Sequence, residues 1–232
     1  MVHKLKISVC EANLALKRSG LVILTWGNVS ARDTDTGLIV IKPSGVQYDD
    51  MLPEQMVVVD LDGKVVDGMF RPSSDTPTHL ALYRAWPEVG GIVHTHSTYA
   101  TAFAQACRPL PCYGTTHADS FRGAVPVTAE MTDEEIAGDY ERNTGEAILR
   151  TFTGRLPLEL PAVLVAGHGP FTWGADAAEA VENSIVLEEV ARTAWLTESL
   201  NANACEIRQT LRDRHFLRKH GPTAYYGQSG RH

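Results

Sequence analysis

No run of about 18 apolar residues occurs in the sequence, so nothing in it predicts a membrane-spanning helix. The first ten residues hold no long apolar segment of the kind a secretory signal needs, and no such signal is expected. Cysteine is sparse: Cys10, Cys107, Cys112 and Cys205 form no CxxC pair, which excludes a zinc ribbon. In a chain of 232 residues they read as reduced thiols of a cytoplasmic protein. Basic residues are outnumbered, 21 Lys and Arg against 28 Asp and Glu, for a net charge of −7. That balance argues against general affinity for nucleic acid or anionic membrane. Repeats, low-complexity tracts and Pro/Ser-rich linkers are lacking, so a modular array is not expected. What remains is a globular chain, 44% hydrophobic, long enough to bury a sizeable core. A single domain over 1–228 is expected, with 229–232 as a tail.

The chemistry gathers around 90–96. Gly90-Gly91-Ile92-Val93 reads as a β-branched strand arriving at His94-Thr95-His96. Side chains alternate along a strand, so His94 and His96 face the same way and can share one metal ion. A bare H-x-H is common by chance, and two satisfied histidines are the competing reading. A third histidine stands in Gly167-His168-Gly169-Pro170, after the apolar run Leu160 to Ala166, which predicts a central strand. Three histidines at strand ends with one open position are the pattern of a catalytic zinc.

Several anion-friendly loops accompany them. Thr25 to Asn28 is a predicted turn after a short strand, Leu21 to Leu24. Lys42-Pro43-Ser44-Gly45 follows the strand Leu38 to Ile41 and offers a cation, a hydroxyl and exposed backbone N–H groups. Ser73-Ser74-Asp75-Thr76-Pro77 predicts a helix N-terminus, with the helix running to about Trp86. Ser74 or Asp75 can simply cap that helix, or the hydroxyls can bind phosphate. Asp119, beside His117, is a candidate acid/base or an ordinary paired loop aspartate.

The rest predicts helices over 3–19, 98–107, 132–152, 176–200 and 207–220. A hairpin is expected across Leu61-Asp62-Gly63, and a strand over Cys112 to Thr115. Tyr225 and Tyr226, near the C-terminus, need a packing partner.

Taken in order, Thr25 to Ser30, Lys42 to Gly45, Pro72 to His79, His94 to His96 and Gly167 to Pro170 resemble the class II aldolase family. Thr115 to Asp119 and Ala224-Tyr225-Tyr226-Gly227-Gln228 are similar to its L-ribulose-5-phosphate 4-epimerase branch. The resemblance runs from about residue 9 to residue 228. It implies an α/β fold of three α/β/α layers around a mostly antiparallel sheet, and a homotetramer with active sites at subunit interfaces. It implies His94, His96 and His168 as zinc ligands, with Asp75 at the metal and Mn2+ or Co2+ as alternatives. Gly27, Asn28, Lys42, Ser44, Gly45, Ser73 and Ser74 would hold a sugar phosphate. Asp119 and Tyr226 would be the acid/base pair, Tyr226 reaching in from a neighbouring subunit. The implied reaction interconverts L-ribulose 5-phosphate and D-xylulose 5-phosphate by cleaving and remaking C3–C4. The alternatives are an aldolase of the L-fuculose 1-phosphate type, in which a Glu typically stands where this chain has Asp75, and a non-catalytic member. The same epimerisation serves arabinose and ascorbate-type catabolism alike.

Overall fold

The computed structural model describes residues 2–222 and 224–226. Gly227, Gln228 and the expected tail 229–232 lie outside them. Seven strands form one sheet in the order β4-β3-β2-β1-β5-β7-β6, every neighbouring pair antiparallel. They are β1 (Asn28–Arg32), β2 (Ile39–Ile41), β3 (Val57–Val59), β4 (Val65–Asp67), β5 (Gly91–His94), β6 (Ala162–Leu164) and β7 (Pro170–Gly174). The helices are α1 (Val2–Arg18), α2 (Thr76–Ala85), α3 (Thr98–Gln105), α4 (Thr115–Ala118), α5 (Asp133–Ala137), α6 (Tyr140–Thr151), α7 (Ala177–Leu200) and α8 (Gln209–His220).

Alternation along the strands builds two cores. Ile39, Ile41, Val57, Val59 and Ile92 face one, with Leu82 of α2, Phe103 of α3 and Ile148 of α6. The residues between them, Val40, Val58 and Val93, face the other, with Val9 and Leu16 of α1 and Ala180 of α7. Neighbouring residues of one strand thus belong to opposite cores, which makes the expected three-layer α/β/α arrangement.

Four expectations need correction. Leu21 to Leu24 is not a strand: Leu24 takes a positive φ of 55°, Ile23 and Leu24 are exposed, and pairing starts only at Asn28. Cys112 to Thr115 is not a strand either; the chain enters α4 at Thr115. The helix expected over 132–152 is two helices. Thr132 closes the capping box of α5 as expected, and the chain breaks at Gly138 before restarting at Tyr140. Lastly, the apolar run 160–166 supplies β6 at the sheet edge, not its centre. It is buried because the 126–128 segment covers that edge: Leu164 N donates to Pro126 O and Thr128 N to Leu164 O. β7, which the sequence pattern does not announce, separates β6 from β5.

Candidate active site

Sheet register sets the first row of the site. Asn28 of β1 lies opposite His94 of β5, which lies opposite Phe171 of β7. The three residues end one face of the sheet, and the His94 ring stacks on Phe171 at 4.2 Å between centroids. His96 lies just past the end of β5, and His168 stands in the turn that starts β7. The chain nevertheless brings all three histidines together, with one ring nitrogen from each lying within 4.8 Å of the others. His94 Nε2 and His96 Nε2 face each other at 3.0 Å, and His94 Nδ1 lies 3.0 Å from the carbonyl oxygen of Pro170. A carbonyl only accepts, so His94 carries its proton on Nδ1 and presents a bare Nε2. Burial pushes the His94 pKa down to about 3 and lowers those of His96 and His168. The imidazoles are neutral near pH 7, the form a divalent metal takes. This donor set fits such an ion: three convergent neutral nitrogens with a carboxylate nearby.

That carboxylate is Asp75. It occupies the N-cap position of α2, yet its side chain makes no capping bond. It receives a hydrogen bond from Asn28 Nδ2 at 2.6 Å instead, and the same amide donates to Ser73 Oγ at 3.0 Å. Burial opposes its charge, but the imidazoles of His94 and His79 and the Asn28 amide hold its pKa below the usual value. Capping, the simpler reading of Ser73-Ser74-Asp75, is therefore not what the Asp75 side chain does.

A polar seam between β1 and α2 places Asp75. Asn28 reaches Asp75, Ser30 reaches His79 and Tyr83, and Arg32 packs over the Tyr83 ring. Two residues of strand advance about 6.8 Å and four residues of helix about 6 Å, so every second strand residue meets every fourth helix residue.

The anion side of the site is built from two loops zipped together. Ser73 N donates to Lys42 O, Ser44 N donates to Arg71 O, and Pro43 bridges Pro72. Lys42 is buried; its Nζ donates to the carbonyls of Thr25 (3.2 Å) and Pro43 (3.4 Å) and lies over the Tyr48 ring. Among the described residues no carboxylate pairs with it, and burial pushes its pKa down to about 8. A buried cation lacking a counter-charge is the electrostatic complement of an anionic ligand. Tyr48 Oη donates toward the carbonyls of Trp26 and Gly27, each at 2.9 Å, and fixes the 25–28 turn. Gly27 is required there: its φ is +76°, and a Cβ would lie 2.8 Å from the His94 carbonyl oxygen.

Histidines, Asp75 and both loops line one cavity of about 570 Å³. Gly27, Asn28, Lys42, Ser44, Gly45, Ser73 and Ser74 all border it. The buried Asn28 Oδ1 has no partner among the described residues and is free to accept from a ligand hydroxyl. Sequence reasoning missed Tyr140 and Glu141, which complete the wall. Tyr140 Oη lies 3.4 Å from His168 Nδ1, and Thr78 Oγ1 of α2 donates to the Glu141 carbonyl. Gly138 marks a break just before α6 but not the wall that Tyr140 and Glu141 join.

Asp119 and Tyr226 do not line this cavity. Asp119 ends α4, where its carboxylate receives Arg218 Nε at 2.9 Å, Arg218 Nη2 at 2.6 Å and a contact with His215 Nδ1 at 3.0 Å. Burial opposes its charge, but Arg218 and His215 lower its pKa. The exposed Tyr226 ring lies 4.7 Å from the same guanidinium carbon. Thus the two acid/base candidates stand together, away from their own chain's histidines.

Comparison with known proteins agrees with this architecture. The family described as Class II Aldolase and Adducin N-terminal domain matches residues 7–195. The chain is 56% identical over 227 residues to proteins named L-ribulose-5-phosphate 4-epimerase UlaF from Salmonella paratyphi A and Salmonella typhi, covering 98% of this chain and all of each relative. Among solved structures, an L-fuculose 1-phosphate aldolase superposes with a TM-score of 0.78 at 25% identity, over 91% of this chain and 94% of that one. The l-fuculose-1-phosphate aldolase from Thermus thermophilus gives a TM-score of 0.66 at 25% identity, over 88% and 98%. From the match across most of its length and from these relatives, the chain belongs to the class II aldolase family.

Proposed function

We propose that this protein is a divalent-metal-dependent epimerase that interconverts L-ribulose 5-phosphate and D-xylulose 5-phosphate. The observation that carries the reading is the joining, in one cavity, of a three-histidine cluster to a buried lysine that has no carboxylate partner among the described residues. Metal chemistry and a phosphate clamp belong together in such a site. The 56% identity to relatives named for this epimerisation selects the substrate.

Inverting C4 of the ketose requires breaking a bond, because the C4 hydrogen is not α to the C2 carbonyl. His94, His96 and His168, with Asp75 beside them, would hold an ion that would supply Lewis-acid stabilisation of the negative charge developing on the ketose. Lys42, Ser44, Gly45, Ser73 and Ser74 hold the phosphate, and Gly27 and Asn28 hold the sugar. Asp119, kept ionised by its partners, takes the C4 hydroxyl proton as C3–C4 breaks. Glycolaldehyde phosphate turns over, C3 adds to its other face, and Tyr226 returns a proton to the re-formed C4 oxygen; proton exchange with solvent then restores Asp119 and Tyr226 to their starting forms. Neither group lines the cavity of its own chain, so both are assigned to a neighbouring copy in a homotetramer. This moves Asp119, along with Tyr226, to the partner's side of the interface. The ion is zinc, with Mn2+ and Co2+ as alternatives the same ligands accept. A cytoplasmic location is part of this proposal and fits four cysteines that are all free thiols.

The test is incubation of metal-loaded protein with L-ribulose 5-phosphate, scoring D-xylulose 5-phosphate and free glycolaldehyde phosphate separately. Epimer without free fragments is expected. Accumulating fragments would favour the second reading, a sugar-phosphate aldolase, which the superposition on L-fuculose 1-phosphate aldolase motivates.

A further inference from the structure

We propose that Arg218 is a positioning residue of the reaction, a single guanidinium that holds both Asp119 and Tyr226. The inference rests on the acid/base roles given to those two residues above. Five contacts converge on Arg218. Its Nε and Nη2 form a two-pronged bridge to the two Asp119 oxygens, at 2.9 and 2.6 Å. Its guanidinium carbon lies 4.7 Å from the centroid of the Tyr226 ring. Its carbonyl oxygen accepts the backbone N–H groups of Tyr225 (3.0 Å) and Tyr226 (3.1 Å). The residue therefore fixes the carboxylate through its fork, the phenol ring through its face, and the chain carrying that ring through its backbone.

The geometry has a physical purpose. Asp119 ends the one-turn helix α4, and Tyr226 lies past the end of α8 on an exposed segment outside any helix or strand. Neither element is stiff enough alone to hold an acid/base group at a fixed place. A planar fork is matched to a carboxylate and stacks on an aromatic ring, two tasks that an ammonium group does not combine. The other polar groups α8 presents here divide differently. His215 Nδ1 touches the Asp119 carboxylate, His220 Nε2 meets only the Asp119 carbonyl oxygen, and Lys219 touches only the Tyr226 ring. Among the described residues, Arg218 is the one that spans both.

The experiment compares wild type, Arg218→Ala, Arg218→Lys and Asp119→Asn in the metal-loaded enzyme. Metal content, assembly size, kcat, KM and the pH profile of kcat are measured for each. A displacement of the acid/base pair by an ångström should cost Arg218→Ala roughly 10²-fold in kcat, with KM and metal content close to wild type. Without the guanidinium, Asp119 holds its proton to higher pH, so the acid limb of kcat should move upward. Added guanidinium ion should restore part of the rate to Arg218→Ala and none to Asp119→Asn. Arg218→Lys keeps a cation on α8 and serves as the second probe if Arg218→Ala fails to assemble; it too should be slow, since an ammonium makes no fork. Wild-type kcat and pH profile in Arg218→Lys or in a folded Arg218→Ala overturns the proposal. An active Asp119→Asn overturns the underlying acid/base assignment instead, which separates the two failures.

Discussion

Asn28 Nδ2 donates to Asp75 Oδ2 at 2.6 Å, across from the start of β1 to the start of α2. The bond is the last rung of the seam that also joins Ser30 to His79. It turns Asp75 away from the helix it would otherwise cap and toward the histidines. Asn28→Ala removes the donor and leaves a carboxylate free to cap α2 or rotate. Metal affinity is expected to fall roughly 10–100-fold, the usual cost of losing a group that orients a metal-site residue. Chelator competition reads this without reference to turnover. An unchanged dissociation constant would show that Asp75 needs no such support.

Gly27→Ala probes the backbone instead. The residue sits at φ +76°, and a Cβ there would press on the His94 carbonyl at 2.8 Å. A side chain in the left-handed region costs about 1–2 kcal/mol before any clash. Melting of the apo protein is expected to drop by several degrees, with metal binding weakened because His94 must shift. A variant with wild-type melting and wild-type metal affinity would contradict the packing described.

Lys42 gives a pH signature. Burial has pushed its pKa down to about 8, so the free enzyme loses this cation as pH rises past that value. For a phosphorylated substrate, kcat/KM should carry an alkaline limb near pH 8, because that parameter reports groups of the free enzyme. Lys42→Met should raise KM roughly 10–100-fold, a charged hydrogen bond being worth about 1.5–3 kcal/mol, and should remove the limb. A limb that persists in Lys42→Met belongs to another group.

Stability should respond to acid through His79 and His117. Burial lowers both pKa values from 6.5 to about 4. Between those values the unfolded chain binds a proton at each site and the folded chain does not. The unfolded state binds more protons, so stability rises with pH across this window and falls as pH drops from 6.5 toward 4. Each site contributes about 3 kcal/mol over the full window. Urea denaturation of the apo protein at pH 7 and pH 5 measures it. Equal midpoints would mean that neither histidine is held neutral by burial.

Much of the site is legible in the residue types alone. Each of the five stretches that resemble the class II aldolases borders the cavity, and their side chains announce the chemistry: imidazole for a metal, lysine and hydroxyls for an anion. Turn residues and caps are legible too. Gly63 turns the hairpin, Thr132 caps α5, and Asp176 accepts from Glu179 N at the start of α7. These signals are local, written within a few residues of where they act.

What failed were judgements needing a neighbour. The run 160–166 is apolar enough to be a central strand, yet it is an edge strand whose cover comes from 126–128. Tyr140 and Glu141 carried no signal of their own, because the break at Gly138 matters only once α6 packs against α2. Asp119 was recognisable as a candidate, but nothing in its motif tells which wall it faces.

The sequence alone determined the kinds of groups present and the local geometry that each stretch prefers, since propensity, capping and the alternation of strands act over a few residues. Only the tertiary structure decided which of those groups share a space. Asn28 meets Asp75 across 47 residues, His94 meets Pro170 across 76, and Asp119 meets Arg218 across 99. Such distances are closed by strand register and by the match between strand and helix spacing, which depend on every element of the fold at once.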